Sequence, residues 1–206
     1  FFGAGKFVDA YQEEDSTDFH QLVADMADIG RKQAKTINLG LFYGMGKGKL
    51  MSQLGVDLET ASDLLAAYHE RVPFVKQLMN DTMKEAGRKG FLFTLLGRRC
   101  RFELWEPSNE WGSKALPLKE ARLEYGEGMI KRAWTYKALN RLIQGSAADQ
   151  TKQAMVNLHK EGYTAHIQVH DELDFSVASD KDSSKIKDIM ENCVELLVPS
   201  KVDVEL

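Results

Sequence analysis

The stretch "HIQVHDELDFSV", residues His166–Val177, decides how the C-terminal part of the chain folds. Apolar and polar residues alternate on both sides of a His-Asp-Glu step, which is the period of a β-strand. One continuous strand would place Asp171 on its apolar face, where an unpaired carboxylate costs several kcal/mol. A chain reversal near His170 to Glu172 avoids this cost, and it predicts a β-hairpin with Asp171 at the turn. His and Asp both tolerate the left-handed backbone of a tight turn.

The segment before this hairpin has mainly helical patterns. Residues 16–90 predict helices, with Asp57 at one helix start and Pro73 in the first turn of the next. "FLFTLLG" predicts a short strand that ends in a turn at Gly97.

Downstream elements complete an α+β pattern. Residues 105–117 are rich in turn formers and predict a loop, and 118–160 predicts a long helical stretch with a break at Gly145. After the hairpin we expect a helix over about 180–197 and a last strand at 201–206. The expected fold class is α+β, with a helical first part followed by a β-hairpin and antiparallel sheet packed by long helices.

Composition limits the classes of protein. The chain has 43% hydrophobic and 28% charged residues, as globular proteins do. There is no run of 18 apolar residues, so no membrane span is expected. Two cysteines are too few for a disulfide framework and suggest reduced thiols in a cytosolic setting.

Charge is unevenly distributed. The net charge is −4, which by itself argues weakly against a nucleic-acid binder. From residue 159 onward, however, five Lys and Arg face eleven Asp and Glu, whereas "RKGFLFTLLGRRCR" (88–101) carries five cations and no acid. A local basic segment suffices to bind phosphates when the acids lie elsewhere.

A basic helix is the second informative stretch. In "RKQAKTINLGLFYG", Arg31, Lys35, Leu39 and Tyr43 recur every four residues. Each step advances about 6 Å along a helix and returns to nearly the same face. Two cations followed by apolar and aromatic groups could bind one extended anionic ligand, although an ordinary amphipathic helix with surface cations fits the same pattern.

Together these stretches resemble a family A DNA polymerase, the group of bacterial repair and phage replicative enzymes. "RKQAKTINLGLFYGMG" resembles its nucleotide-binding motif B, and "QVHDEL" resembles its palm motif C. "DFHQL", "TLLGRR" and "NRLIQGSAAD" match further family patterns in the right order. The resemblance implies fingers over residues 1–94, with the nucleotide-binding helix at 30–44, and a palm portion over residues 95–206.

The resemblance implies nucleotide contacts. Arg31 and Lys35 would bind the triphosphate of the incoming dNTP, and His20 would be a third phosphate contact. Tyr43 would pack beside the templating base. Leu39 occupies the position where the family usually carries Phe or Tyr against the sugar, which puts sugar discrimination in question. Lys35 is also the candidate acid for the leaving pyrophosphate.

The resemblance also implies contacts to primer-template DNA and to metal. Asn140 and Gln144 would reach the minor groove of the new base pair, and His170 would contact the primer end. Asp171 would bind catalytic Mg²⁺, with Glu172 in a supporting role, in a site for two ions. Backbone contacts to DNA are implied for Arg98 and Arg99. A structural role for their turn is the alternative.

The family's motif A, which carries Asp-x-Ser-x-x-Glu and the partner carboxylate for the metals, does not occur in the chain. We therefore expect an internal piece of a larger polymerase whose motif A and thumb lie elsewhere. That enzyme would act in the cytoplasm of a bacterium or phage-infected cell. By itself the 206-residue chain is expected not to extend a primer.

Three other classes of protein share parts of this pattern. A single-subunit RNA polymerase shares the Lys-x7-Tyr-Gly spacing and a His-Asp pair, but "QGSAAD" and "LGRR" favour the DNA enzyme. A metal-dependent phosphohydrolase would need clustered ligands, whereas His166 and His170 would lie about 13 Å apart on a straight strand. A non-catalytic DNA-binding piece would bind through phosphate contacts, with an affinity that falls steeply with salt.

Overall fold

The structure is a computed structural model, and it describes residues 5–13, 18–42, 45–110 and 112–205. Its α-helices are α1 Gly5–Glu13, α2 Phe19–Ala27, α3 Arg31–Phe42, α4 Lys47–Leu54, α5 Leu58–Arg71, α6 Pro73–Lys89, α7 Leu118–Tyr125, α8 Ala138–Lys160 and α9 Asp180–Glu191. Its strands are β1 Phe91–Phe93, β2 Arg99–Arg101, β3 Leu104–Pro107, β4 Leu116–Pro117, β5 Ile130–Arg132, β6 Ile167–Val169 and β7 Glu172–Asp174. None of the described helices is both long and apolar enough to cross a membrane.

The strands form small antiparallel sheets. β1 pairs with β2, β6 pairs with β7, and β3 lies between β4 and β5. Helices separated from short antiparallel sheets confirm the α+β class.

The chain divides into two compact units. The first contains the described residues 18–142, and the second contains 5–13 and 143–205. The expected functional boundary between residues 94 and 95 falls inside the first unit. Because a division by compactness is not a division by function, that boundary stays a prediction.

The core of the first unit lies between its helices. Val23 of α2, Ile37 of α3, and Val72 and Val75 at the α5–α6 corner are at most 1% exposed. Burying each such side chain stabilises the fold by about 1.5–3 kcal/mol. A second cluster joins α6, the β1–β2 hairpin and the start of α8 through Ala86, Leu92, Phe102 and Ala138.

The predicted helix starts are confirmed. The side chain of Asp57 caps α5 by accepting a hydrogen bond from the Thr60 amide at 2.8 Å. Pro73 is the first residue of α6, where its missing amide proton leaves no bond unmade. Gly90 ends α6 at a φ of 80°, and a Cβ there would lie 2.5 Å from the Arg132 guanidinium carbon.

Four local predictions were wrong. The helix expected over about 180–197 ends at Glu191. The 105–117 segment is not loop throughout, because β3 and β4 pair at its ends. The long helical stretch breaks at 126–137, where Gly126 and Trp134 have φ values of 88° and 57°, and α8 runs unbroken through Gly145. A helical glycine costs only about 1 kcal/mol relative to Ala. Residues 201–205 form no strand, because the Val202 amide donates to the Glu191 carboxylate at 2.9 Å.

Candidate functional site

Helix α3 has one buried face and one exposed face. Ala34, Ile37, Asn38 and Leu41 are each at most 7% exposed and recur at the i, i+3, i+4, i+7 spacing of a single helical stripe. The predicted basic face therefore lies to one side of the stripe that anchors α3 in the core, roughly 110° around the helix axis.

The basic face begins with Arg31 and Lys35, which are both exposed. Leu39 follows one turn later and is 39% exposed. An apolar side chain left open beside two cations fits the expected order of phosphate contacts followed by a sugar contact. Tyr43, the predicted base contact, lies outside the described residues.

Asp18 connects the basic helix to α2. It is the N-cap of α2, and its Oδ1 accepts hydrogen bonds from the amides of His20 at 2.8 Å and Gln21 at 3.1 Å. Its Oδ2 accepts from Arg31, at 2.8 Å from Nε and 2.5 Å from Nη2. The Arg31 guanidinium and the two amides together hold the pKa of the Asp18 carboxyl below its usual value.

A buried hydrogen-bond chain connects α5, α3 and α2. Tyr68 and Asn38 are fully buried. The Tyr68 hydroxyl donates to Asn38 Oδ1 at 2.5 Å, and Asn38 Nδ2 lies 3.0 Å from His20 Nδ1. His20, the third predicted phosphate contact, is half-buried and therefore lies in a defined position relative to α3.

The positive charges of Arg31 and Lys35 also affect the pKa of the His20 ring. Its pKa is lowered, first by burial and then by the positive charges of Lys35 and Arg31, against the raising effect of Asp18. Asp18 accepts hydrogen bonds from both Arg31 and the His20 amide, and Asn38, on the same helix as Arg31 and Lys35, lies 3.0 Å from the His20 ring. The structure therefore brings His20 beside Arg31 and Lys35, and we call these two cations the cation cluster.

The second candidate site is the β6–β7 hairpin, and the predicted reversal is confirmed. Val169 pairs with Glu172, so His170 and Asp171 form a two-residue turn. His170 has a φ of 55°, the left-handed geometry expected of a His or Asp at this step. The Gln168 amide group donates to the His170 carbonyl at 3.1 Å and closes the turn.

The register of the β6–β7 hairpin differs from the apolar–polar alternation expected of one continuous strand. Ile167 lies opposite Asp174 and Val169 lies opposite Glu172, whereas Leu173 lies opposite Gln168 on the other face. Ile167 and Val169 are 56% and 50% exposed. The two-residue turn reverses the chain, so the apolar residues of β6 and β7 do not share one face as in a continuous strand.

The acidic turn residues, Asp171 and Glu172, are exposed. No ion pair in the described part of the chain engages their carboxylates. Two adjacent oxygen donors suit Mg²⁺, which proteins often bind through one or two carboxylates plus substrate phosphates. Across the described ranges, no group of three or more His, Cys, Asp or Glu could hold a metal ion.

The predicted DNA contacts are spread over several elements. Asn140 is half-buried and Gln144 is exposed, four residues apart in α8, and the two-unit division falls between them. Arg98 and Arg99 are exposed beside the β1–β2 turn. The Arg99 guanidinium stacks 4.8 Å from the Phe91 ring centroid, which gives this residue a structural contact as well.

Asp18, Asn38 and Tyr68 were not predicted as site residues. Asn38 could have been found, because it is a polar residue inside the apolar stripe of α3. Tyr68 could not, since only the packing of α5 against α3 brings its hydroxyl to Asn38 across 30 residues of sequence.

The chain is similar to known proteins over most of its length. The family model described as DNA polymerase family A matches residues 3–206. The chain is 38% identical to a DNA-directed DNA polymerase of Pseudomonas phage M6, over 96% of this chain and 32% of that protein. It is 32% identical to the thermostable DNA polymerase I of Thermus aquaticus, over 84% of this chain and 20% of that protein. The chain therefore spans a third or less of these curated relatives.

A solved structure is also similar to this chain. The POL domain of Pol1 from M. smegmatis, in complex with DNA primer-template and dNTP, matches 93% of this chain and 34% of its own chain. The TM-score is 0.70 at 27% sequence identity.

Proposed function

We propose, on the premise that the chain belongs to DNA polymerase family A, that it supplies the nucleotide-binding helix and half of the metal site of a template-directed DNA polymerase. In this reaction a primer 3′-hydroxyl attacks the α-phosphate of a dNTP and pyrophosphate leaves. Relatives named as DNA polymerases support the reaction, and a similar structure that contains primer-template DNA and dNTP supports the ligands. The observation that carries the proposal is the cation cluster.

The cation cluster would bind the triphosphate. Arg31 offers a planar guanidinium for a terminal phosphate, and Lys35, one turn further along α3, offers a compact charge. His20 would donate a hydrogen bond to a third phosphate oxygen. Positive charge placed where pyrophosphate leaves stabilises the developing negative charge, and Lys35 is the proposed proton donor to that leaving group.

Asp171 would bind Mg²⁺, with Glu172 in support, because both present exposed carboxylates, one in the hairpin turn and the other directly after it. When bound, two Mg²⁺ ions stabilise charge on the attacking and leaving oxygens. The family's motif A, which carries the partner carboxylate, does not occur in this sequence. We therefore propose that a carboxylate from outside these 206 residues completes the metal site, and that the chain alone does not extend a primer.

The DNA-side contacts complete the proposal. Asn140 and Gln144 would read the minor groove, since amide groups can donate to the acceptors that every base pair presents there. His170 would contact the primer end beside Asp171. Further contacts are proposed for Arg98 and Arg99 with the DNA backbone, Leu39 with the sugar and Tyr43 with the templating base. Phage and bacterial relatives support a bacterial or phage-infected cytoplasm as the place of action.

Nucleotide binding by the chain tests the proposal. Titration with dATP should give an affinity that Arg31→Ala and Lys35→Ala each weaken by about tenfold or more, because a charge-assisted bond to phosphate is lost. Lys84→Ala is the matched control: an exposed α6 lysine in the same unit, so the same charge is removed away from the cation cluster.

The control decides between a site and a general surface charge. If Lys84→Ala weakens dATP binding as much as Lys35→Ala, binding reflects net charge alone and the proposed site is wrong. Raising salt from 50 to 200 mM should weaken wild-type binding steeply.

A further inference from the structure

We propose that Tyr68 and Asn38 are positioning residues that hold His20 in the tautomer protonated at Nε2, so that the ring presents a hydrogen-bond donor to a phosphate oxygen. Only the identity of the acceptor rests on the proposed function. The tautomer itself follows from the three side chains and the two hydrogen bonds that join them.

The first bond fixes the orientation of the Asn38 amide. Its oxygen atom, Oδ1, lies 2.5 Å from the Tyr68 hydroxyl. That distance suits an O–H···O bond, because N–H···O bonds are about 2.7–3.2 Å long. Tyr68 is fully buried, and burial raises the pKa of its hydroxyl, so the proton stays on the oxygen and is available to donate. The amide oxygen therefore faces Tyr68, and the amide nitrogen faces His20.

The second bond then fixes the imidazole. An amide nitrogen can only donate, and Asn38 Nδ2 lies 3.0 Å from His20 Nδ1. His20 Nδ1 must therefore accept, so it carries no proton. In a neutral imidazole the proton then lies on Nε2. A protonated ring would place an N–H group against the Asn38 amide protons, so the network also disfavours the imidazolium.

Burial makes this orientation specific. Asn38 lies on the same helix as Arg31 and Lys35, and it is fully buried. A flipped amide would place its nitrogen beside the Tyr68 hydroxyl and break the short bond. An unmade bond is costly in the interior, since no water replaces it. The ring of His20 is thereby held in register with the cation cluster.

A neutral donor suits this position. Arg31 and Lys35 already supply positive charge, and Asp18 supplies a negative one near the same ring. An imidazolium would add a third repelling cation when no ligand is bound. A directed Nε2–H contributes a hydrogen bond to phosphate without that repulsion.

Nitrogen chemical shifts of the imidazole test the tautomer directly. In the ¹⁵N-histidine-labelled chain at pH 7.5, the His20 signals are identified by their loss in His20→Gln. We expect a protonated Nε2 and an unprotonated Nδ1. A protonated Nδ1 in the wild-type chain overturns the inference, and this outcome requires no variant at Tyr68 or Asn38 to fold.

Asn38→Asp sharpens the test with nearly the same shape. The carboxylate accepts where the amide nitrogen donated, so the proton should move to, or be added at, His20 Nδ1. If the Nδ1 signal of folded Asn38→Asp stays unprotonated, the side chain at residue 38 does not set the tautomer.

Tyr68→Phe separates positioning from mere stability. It removes the hydroxyl that orients Asn38, so His20 should show a mixture of tautomers and affinity for inorganic triphosphate should fall by about two- to tenfold. Thr82→Val is the matched control. It deletes a buried hydroxyl of α6 in the same unit, bonded at 2.8 Å to the Leu78 carbonyl. It should lower stability and leave the His20 signals and the affinity unchanged.

A double-mutant comparison distinguishes this inference from the proposed function. If the tautomer is as expected and Tyr68→Phe mixes it, the positioning inference holds even when His20→Gln binds triphosphate normally. That second result would overturn only the phosphate contact. If both hold, Tyr68→Phe should have no further effect on affinity in the His20→Gln background. An unchanged tautomer in Tyr68→Phe overturns the positioning role.

Discussion

The cation cluster and the acidic turn are built in opposite ways. Arg31 is bonded to Asp18, and the neighbouring His20 ring is bonded to the buried Asn38, which Tyr68 orients, so side-chain hydrogen bonds position both Arg31 and His20. Asp171 and Glu172 lie at the exposed end of a two-stranded hairpin, and no ion pair of the described residues engages their carboxylates. Side-chain hydrogen bonds to buried and capping residues hold the first site, whereas strand pairing and the single bond from Gln168 to the His170 carbonyl hold the second.

The difference follows from what each site would bind. A triphosphate is a fixed, extended anion, and cations positioned in advance lose less freedom when it binds. A metal ion must compete with any protein cation for a carboxylate, so a salt bridge at Asp171 would oppose metal binding. Exposure is therefore the expected state of metal-ligating carboxylates before the metal arrives.

The largest effect is expected from removing the Asp171 carboxylate at the acidic turn. In the larger polymerase proposed above, Asp171→Asn should lower single-turnover primer extension by about 10³-fold or more, since metal stabilisation amounts to several kcal/mol. The free energy of unfolding of the 206-residue chain should change by less than about 0.5 kcal/mol, because the side chain is exposed.

Asp174→Asn is the control in the same hairpin. It removes the same charge from an exposed residue of β7 that lies opposite Ile167. Extension should stay within about threefold of the wild-type rate if the screened, longer-range charge is the only loss. Equal damage from both substitutions would contradict a specific role for Asp171.

The second prediction concerns the buried hydrogen bonds that join Tyr68, Asn38 and His20. Asn38→Leu should lower the free energy of unfolding of the first unit by about 2–4 kcal/mol, because the Tyr68 hydroxyl and the His20 ring lose their partner. Asn80→Leu makes the same change at an exposed site of α6 in the same unit and should cost less than about 0.5 kcal/mol. Urea titration of both variants measures the contrast, and equal costs would contradict it.

The third prediction concerns the Arg31–Asp18 pair. Asp18→Asn keeps the α2 cap, since Asn caps about as well as Asp. Its amide oxygen can still accept a hydrogen bond from Arg31, but the negative charge that competes with phosphate for the cation cluster is lost, so dATP affinity should rise by about two- to fivefold. Asp25→Asn, which removes one charge further along the same helix, is the control and should leave the affinity unchanged. A fall in affinity would mean that positioning Arg31 requires the charge of Asp18 and not only its hydrogen bond.

The smallest expected effect is a pH dependence of stability. Burial and the charges of Lys35 and Arg31 lower the pKa of His20, against the effect of Asp18, so the unfolded chain binds more protons at this site than the folded chain. Stability should thus be fully present above the unfolded pKa of about 6.5 and fall as the pH drops below it. Burial also lowers the pKa of His69, so this residue should likewise make the folded chain less stable as the pH falls.

Urea midpoints from pH 7.5 to pH 5 measure this dependence. His20→Gln should flatten it in part, and the remainder should disappear in a variant that also carries His69→Gln. A wild-type midpoint that rises on acidification would contradict the sign.

Sequence patterns predicted the parts of the fold that depend on local physics. The helix starts at Asp57 and Pro73 and the reversal at His170 each follow from the local preference of one residue. Elements that depend on distant partners were missed. β3 and β4 exist because they pair with each other, and residues 201–205 are not a strand because a side chain of α9 takes one of their amides.

The amino-acid order by itself determined the family, the basic helix and the acidic turn, because each is a short run whose spacing carries its chemistry. Tertiary structure alone decided how those groups are held. Tyr68 reaches Asn38 only through the packing of α5 on α3, and Arg31 reaches Asp18 only where α2 and α3 meet. Hydrogen bonds across 13 and 30 residues leave no periodic trace in sequence, because their partners are chosen by packing and not by spacing along the chain.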